Sequence, residues 1–351
     1  MAGQRHAFIL GGTGQIGRAV ARDLLAAGWS VTFSHRGHRP APRDLIEQGA
    51  RVVTLERDRD ELARTLGSGA DALIDTTAYN RDHASQLIAV QASIGCFVVV
   101  SSASVYRDQL GRTLDEAAET GFPDLPDPIP ETHPTVDPGP TTYSTRKVAL
   151  ERHLLDAASP PVTILRPCAI HGPNSRHPRE WWLVKRMLDR RSAIPLAHRG
   201  TSRFHASAVA NIAAVARIAA ETPGSRVLNI ADPDAPTVAE IAAHIARHLD
   251  YQGRIVAVDA PDDSPLIGRT PWSVPRPFVL DCRTAGSLGY VPATSYADAA
   301  GAMCGWLVED AANGDWRQRY PVLAAYPWDH FDYETEDAFF RNHGASGVRH
   351  P

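Results

Sequence analysis

Short apolar runs alternate along this chain with stretches in which apolar residues recur at helical spacing. Phe8-Ile9-Leu10 stops at Gly11, and Ile16, Val20 and Leu24 follow at i, i+4 and i+8, which places them on one helix face. Gly28 ends that helix, and residues 31–34 predict a second strand. Residues 52–55 predict a third strand, with a helix starting near Asp60 after it. Residues 72–78 predict a fourth strand and its exit loop, and residues 96–100 a fifth. The fifth is apolar throughout, as suits a parallel strand covered on both faces. A helix opens at Tyr143 and continues through Leu150 and Leu154; residues 162–166 form a sixth strand. Residues 203–219 lead into another helix, and residues 227–230 form a further short strand. Strands alternating with helices predict an α/β fold built on a doubly wound parallel sheet.

Two stretches break the rhythm. Residues 107–140 are rich in proline and acidic residues; repeated prolines forbid a long helix or a central strand there. This stretch reads as a loop or flap over the site. The tail from about 312 is rich in aromatic and acidic residues, and Trp316, Tyr320, Tyr326, Trp328, Phe331 and Tyr333 are expected to pack against the body. Trp181, Trp182, Arg176, Arg179 and Lys185 cluster before it. They suit either a substrate pocket with aromatic walls or an amphipathic helix whose tryptophans fill the core. No internal repeat is visible.

Composition narrows the class. The 351 residues are 43% apolar and 22% charged with a net charge of −4, ordinary for a globular protein and without a global pull toward nucleic acid or anionic membrane. No apolar run approaches bilayer length, and the short N-terminal run continues into the first strand–helix unit rather than forming a signal peptide. The four cysteines (Cys96, Cys168, Cys282, Cys304) are far apart, with no CxxC pair. They fit a reducing cytoplasm better than a disulfide frame. The 15 histidines show no tight ligand spacing, so no metal site is expected. The expected location is cytoplasmic, and the expected partner a small molecule rather than nucleic acid or membrane.

The candidate chemistry starts at the first turn. Gly11, Gly14 and Gly17 lie between a strand and a helix that begins with Gln15 and Ile16. That context allows backbone N–H groups to approach a pyrophosphate at a helix N-terminus. The end of the second strand sorts the cofactor: an acidic residue there would favour NAD, whereas this chain offers His35, Arg36 and Arg39. A guanidinium clasps a 2′-phosphate through two parallel hydrogen bonds, so NADP is favoured over NAD. Asp58, past the third strand, has the reach to meet an adenine amino group and equally the position to cap the following helix. Thr76, Thr77 and Ala78 are small enough for a cofactor to lie against the backbone. Tyr143 and Lys147 stand one turn apart on one helix face, and a serine ends the fifth strand. Hydride transfer to a carbonyl needs a proton donor at its oxygen. A free tyrosine must fall by about three pKa units, or roughly 4 kcal/mol, to work as a base near neutrality. A lysine ammonium one turn away is the expected cause of such a fall.

With these residues in hand, the chain resembles an extended short-chain dehydrogenase/reductase of the NAD-dependent epimerase/dehydratase family. The resemblance rests on GGTGQIG (11–17), SSASVY (101–106), IPETHP (129–134), YSTRK (143–147), LRPCAIHGP (165–173), VLNIADP (227–233) and the late Asp281 with Leu288-Gly289-Tyr290-Val291-Pro292. It implies that Gly11, Gly14 and Gly17 cradle the pyrophosphate, that Ser102 is the catalytic serine, and that Tyr143 is the acid/base with Lys147 its partner. Lys147 would also hold the nicotinamide ribose, and Pro167 would flank the nicotinamide. A homodimer is the assembly usual in the family. The resemblance further implies a Rossmann domain of residues 1–170 plus 203–233, and a smaller C-terminal substrate-binding domain of residues 171–202 plus 234–351.

Two departures matter. Where sugar-nucleotide dehydratases of the family carry an acidic pair, Ala103 and Ser104 stand, so elimination is disfavoured. The family's His-Val-x-Asp run is replaced by Ala208-Val209-Ala210-Asn211. Arg203 retains the means to bind an anionic substrate, but a nucleotide sugar is not specified. Three functions follow as readings: NADPH-dependent reduction of a carbonyl on a small polar molecule, which is favoured; epimerisation of a sugar or sugar nucleotide through the same residues; and a cofactor-sensing or RNA-binding protein with a vestigial site. The presence of serine, tyrosine and lysine together argues against the last.

Overall fold

The computed structural model describes residues 3–38, 40–57, 61–259 and 266–343. The chain forms two compact units. The first comprises Met1–Ile170, Val209–Ala231 and Leu280–Ala293, and the second His171–Ala208, Asp232–Val279 and Thr294–Pro351.

The first unit is built on a seven-stranded, all-parallel sheet. Its strands are β1 (His6–Leu10), β2 (Ser30–His35), β3 (Arg51–Thr54), β4 (Ala70–Asp75), β5 (Ile94–Val100), β6 (Val162–Pro167) and a seventh, Arg226–Ile230. Across the sheet the order is Arg226–Ile230, β6, β5, β4, β1, β2, β3. Side chains alternate faces along each strand. Ile9, Phe33, Ile74 and Val98 meet the helices Gln15–Ala26 and Val209–Glu221 on one face. Phe8, Leu10, Leu73, Phe97 and Val99 meet the opposite face, which carries Leu87 of the helix Arg81–Ala89 and Leu150 and Leu154 of the helix Tyr143–Ala157. Both faces are covered, which accounts for the uninterrupted apolar runs in the sequence. The strand order reverses between β1 and β4, opening a crevice at their carboxyl ends where doubly wound sheets bind ligands. In register, Leu10 of β1 lies opposite Asp75 of β4 and Ser34 of β2.

In the second unit the strands Ala193–Leu196 and Arg254–Ala257 pair in parallel. Around them are the helices Trp181–Leu188, Val238–His248, Tyr296–Ala311 and Tyr333–His343. Trp181 and Trp182 are buried, so the tryptophan cluster is a core-filling helix face. The aromatic tail packs as a chain of rings: Trp181 on Tyr320 at 5.6 Å, Trp316 on Phe331 at 5.2 Å and Tyr326 on Trp328 at 4.7 Å between centroids.

Three segments sit in units other than those the sequence reading gives them: residues 203–208 and 232–233 in the second unit and residues 280–293 in the first. Residues 203–208 join the second unit, where the His205 N–H donates to the Phe278 carbonyl at 2.9 Å and Phe204 bridges Phe278. Residues 280–293 join the first. The Asn229 side chain donates to the carbonyls of Ile129 and Asp281, and the Ala293 N–H donates to Asn211. These long-range contacts carry no periodic signal. Residues 107–140 contain one short helix, Ala117–Thr120, and are otherwise irregular. Among the described residues, no helix is long and apolar enough to cross a membrane, no group of side chains is arranged to hold a metal ion, and no disulfide joins the four cysteines.

Candidate active site

The Gly-rich turn lies at the switch point of the first unit, and its glycines have different causes. Gly11 has φ +87°, and a β-carbon there would fall 2.3 Å from Thr77 Cγ2. A β-carbon on Gly12 would strike the Phe33 ring at 2.4 Å, and one on Gly17 would strike the Gly11 carbonyl oxygen at 2.3 Å. These three positions are glycine because the chain folds onto itself there. Gly14 differs. It caps the helix Gln15–Ala26 with φ −78° and ψ 165°, which any residue adopts, and a β-carbon would approach nothing closer than the Gly11 oxygen at 3.4 Å. The chain's own packing does not require glycine at 14. What it leaves open is the space before the first-turn amides of Gln15, Ile16 and Gly17, which have no intrahelical acceptor. The Gln15 Oε1 atom is buried there without a hydrogen-bond partner. The open backbone and the positive helix end fit a bound pyrophosphate; the Gln15 oxygen, an acceptor, calls for a donor instead.

His35 is half-buried and Arg36 exposed just past β2, and the Gly12 N–H is tied to β2 through the Ser34 carbonyl at 3.0 Å. Asp58, together with Arg39 and Asp60, lies outside the described residues. On the other side of the crevice Thr76 Oγ1 donates to the Leu10 carbonyl at 2.9 Å, locking the ends of β1 and β4 together. The loop after β4 is shaped by Asp75. Its Oδ1 accepts from the N–H groups of Thr77 and Ala78, both at 2.8 Å, and its Oδ2 pairs with Arg57 at 2.5 Å. Asp75 is fully buried, and a buried carboxylate must be paired. This Arg57–Asp75 pair was missed in the sequence, although a lone acid at the end of an apolar strand is a usable signal for one.

Ser102, Tyr143 and Lys147 come together. Ser102 caps the short turn after β5, its oxygen accepting from the Ser104 N–H at 3.2 Å, and it lies near enough to the Tyr143 hydroxyl to favour its ionised form. Tyr143 is the first residue of its helix, whose start is fixed by a reciprocal Thr142–Thr145 cap and by Asp115 accepting from the Ser144 N–H at 2.7 Å. Lys147, one turn on, is buried with its ammonium donating to the carbonyls of Ala78 (2.6 Å) and Val100 (3.0 Å). It thus bridges the ends of β4 and β5, and lies 5.6 Å from the Tyr143 ring centroid. Pro167 is buried at the end of β6. Arg203 belongs to the second unit, where its Nε donates to the Ala235 carbonyl at 3.0 Å.

The electrostatics correct one expectation. Tyr143 is 38% exposed, yet desolvation around its hydroxyl pushes its pKa up to about 12; the nearby Ser102 opposes the rise and Asp115 adds to it. Lys147 does not bring Tyr143 down, because its charge is spent on two carbonyls. Desolvation lowers Lys147 to about 8, with Asp75 and Glu151 holding it from falling further.

The neighbours of the pair were also unforeseen. The Tyr79 ring packs on Tyr143 at 5.6 Å, and Arg146 donates to the Tyr79 hydroxyl at 3.1 Å. Ser144 is fully buried, its hydroxyl donating to the Ser104 carbonyl at 2.8 Å and meeting the Ser104 hydroxyl at 3.0 Å.

Comparison with known proteins agrees with this geometry. Residues 7–231 match the model of the NAD dependent epimerase/dehydratase family. A 2'-dehydrokanamycin reductase from Streptomyces kanamyceticus is 36% identical over 97 residues, a match covering 27% of this chain and 27% of the relative. A UDP-N-acetylglucosamine 4-epimerase from Methanobrevibacter ruminantium superposes with a TM-score of 0.67 at 16% identity, covering 88% of this chain and 99% of the other. The Bordetella bronchiseptica enzyme WbmH, solved with NAD+, superposes with a TM-score of 0.65 at 18% identity, covering 87% and 99%. At these identities the two superpositions speak to the fold: a parallel-sheet Rossmann architecture.

Proposed function

The chain belongs to the NAD dependent epimerase/dehydratase family and is an NAD(P)-dependent enzyme, and within it we propose an NADPH-dependent reductase of a carbonyl group on a small polar molecule. The observation that carries this reading is Tyr143. It stands one turn from Lys147, and burial pushes its hydroxyl's pKa up to about 12 against the opposing influence of Ser102. Its proton is therefore in place at neutral pH. A reaction that opens by taking a proton from an alcohol starts from the phenolate, whereas a carbonyl reduction starts from the protonated form.

In this reading the first unit binds cofactor and the second binds substrate. The residues around the crevice would hold the dinucleotide as their chemistry allows: first-turn amides on the pyrophosphate, Arg36 on a 2′-phosphate, and Lys147 on the ribose hydroxyls. When bound, a nicotinamide supplies or accepts the hydride. The chain's own groups do the rest. Ser102 and Tyr143 donate to the substrate oxygen, which fixes it and polarises its carbonyl. Tyr143 passes its proton to that oxygen as the alcohol forms. Ser102 steadies the phenolate left behind, while Lys147 serves the cofactor ribose. The partial match to a kanamycin-type ketone reductase supports a polar, oxygen-rich ketone as substrate class.

Epimerisation is the second reading, favoured by superposed structures that are sugar-nucleotide epimerases. The two differ in hydride bookkeeping. The reductase reading expects stoichiometric loss of NADPH absorbance on addition of the right ketone. Sustained stereoinversion without added nicotinamide, and with no net change in NADPH, is the result that sinks it.

A further inference from the structure

The second unit contains a cavity of about 260 Å³ whose lining includes Trp182, Arg186, Arg269, Trp328, His330 and Glu336. Four of these six lie past residue 231, beyond the part of the chain matched by the family. Its floor is an arginine with four of its five N–H groups committed. Arg186 is 1% exposed, stacks 3.4 Å from the Trp182 ring centre, and donates to the carbonyls of Trp182 (2.9 Å) and His330 (2.6 Å) and to Glu336 Oε1 (2.5 Å).

Three polar atoms are left over. Glu336 is 4% exposed, and its Oε2 has no hydrogen bond, with Arg191 Nη2 approaching only to 4.0 Å. His330 is also 4% exposed. Its Nε2 faces the Leu323 carbonyl at 3.1 Å and must carry the hydrogen, because a carbonyl only accepts. Burial pulls His330 down to about 4, so at neutral pH Nδ1 is a bare lone pair, and it has no partner. The third atom is the Trp328 indole N–H, buried without an acceptor while Arg269 covers the ring at 4.2 Å. A group buried and unmet in this way is destabilising until a ligand meets it.

We propose that this cavity is a binding site for an aminated sugar ring. The two acceptors, His330 Nδ1 and Glu336 Oε2, call for a multivalent cationic donor, and an ammonium group has three N–H bonds to give. The one donor, Trp328 Nε1, calls for a hydroxyl or ring oxygen on the same ligand. Indole walls take the C–H faces of a ring. An anion is opposed by the two acceptors, and a neutral sugar lacks the charge that strengthens such bonds. The volume sits just below the roughly 300–1,000 Å³ of pockets for drug-sized ligands, which suits one ring and excludes a dinucleotide.

The test is titration calorimetry on the full chain with glucosamine, and with glucose as the control of the same size. Saturable glucosamine binding is expected, with glucose at least about tenfold weaker, the usual consequence of losing a charge-assisted hydrogen bond. Trp328→Phe keeps a ring and removes the N–H. Glu336→Gln keeps a group for Arg186 and replaces the free carboxylate oxygen. Each is expected to weaken glucosamine binding about tenfold. If Glu336→Gln fails to fold, Trp328→Phe decides alone. No saturable binding of glucosamine, equal binding of glucose, or unchanged affinity in a folded Trp328→Phe overturns the proposal.

Discussion

Gly14→Ala separates what the turn needs to fold from what it needs to bind. At φ −78° and ψ 165° alanine is unstrained, and its β-carbon would stand 3.4 Å from the nearest atom. Two small terms then oppose each other. Alanine reduces unfolded-state freedom, worth about 0.4–1 kcal/mol, and is a poorer N-cap than glycine by about the same amount. The net change in stability is therefore within about 1 kcal/mol, a shift of only a few degrees in Tm. The added methyl group nevertheless enters the space in front of the first-turn amides, where a pyrophosphate must come into hydrogen-bond range. Losing two such charge-assisted bonds predicts at least a tenfold rise in the Kd of NADPH. Gly17→Ala is the contrasting variant. Its β-carbon would fall 2.3 Å from a backbone oxygen and 2.8 Å from Gly12 Cα, an overlap no rotamer relieves, so it is expected to destabilise by about 1–3 kcal/mol or more. Thermal melts and NADPH fluorescence titration read both quantities. A folded Gly14→Ala protein that binds NADPH like the wild type refutes the cradle at this turn.

Tyr143→Phe is expected to abolish turnover while the melt and the NADPH Kd stay near wild type; retained turnover on the true substrate would remove Tyr143 from the proton transfer. Arg36→Ala is predicted to bring the affinities for NADPH and NADH together, since its guanidinium is the exposed donor past β2; equal wild-type affinities count against NADP from the outset. Lys147 is held at about 8, so its charge is present below that pH and lost above it. NADPH affinity should accordingly fall as pH rises through about 8, and a flat profile from neutrality to well above that value contradicts a role for the Lys147 ammonium on the ribose.

The sheet was legible because its strands are covered on both faces. Residues such as Ile9, Leu73 and Val98 have no solvent side, so the runs announce themselves, and the structure extends each by only a residue or two. Gly11, Gly17, Tyr143 and Lys147 were legible because turn geometry and one helical turn are local in sequence. The Arg57–Asp75 pair was not, since its partners are 18 residues apart on different elements. The pKa of Tyr143 was misread for a related reason. Spacing places Lys147 on the same face, but only the fold shows that Ala78 and Val100 present carbonyls to its ammonium. The second unit was the least legible part. Its organisation turns on ring contacts and on the Arg186–Glu336 pair, 150 residues apart, and neither has a period.

The same long-range contacts bear on the choice of reaction. Ser104 stands where an eliminating enzyme of the family would place a carboxylate, and its hydroxyl is occupied by Ser144, whose own N–H is held by Asp115 from the irregular stretch 107–140. That stretch therefore caps the helix at the residue next to Tyr143, and the cap and Ser104 are one connected network. Replacing Ser104 by an acid would set a carboxylate against Ser144 and within the reach of Asp115, two like charges near one helix start. Position 104 is thus built into the support of Tyr143. Burial is the first cause of the raised pKa of Tyr143, and Asp115 adds to it. On the reductase reading, the serine network and that carboxylate together serve a tyrosine that gives a proton.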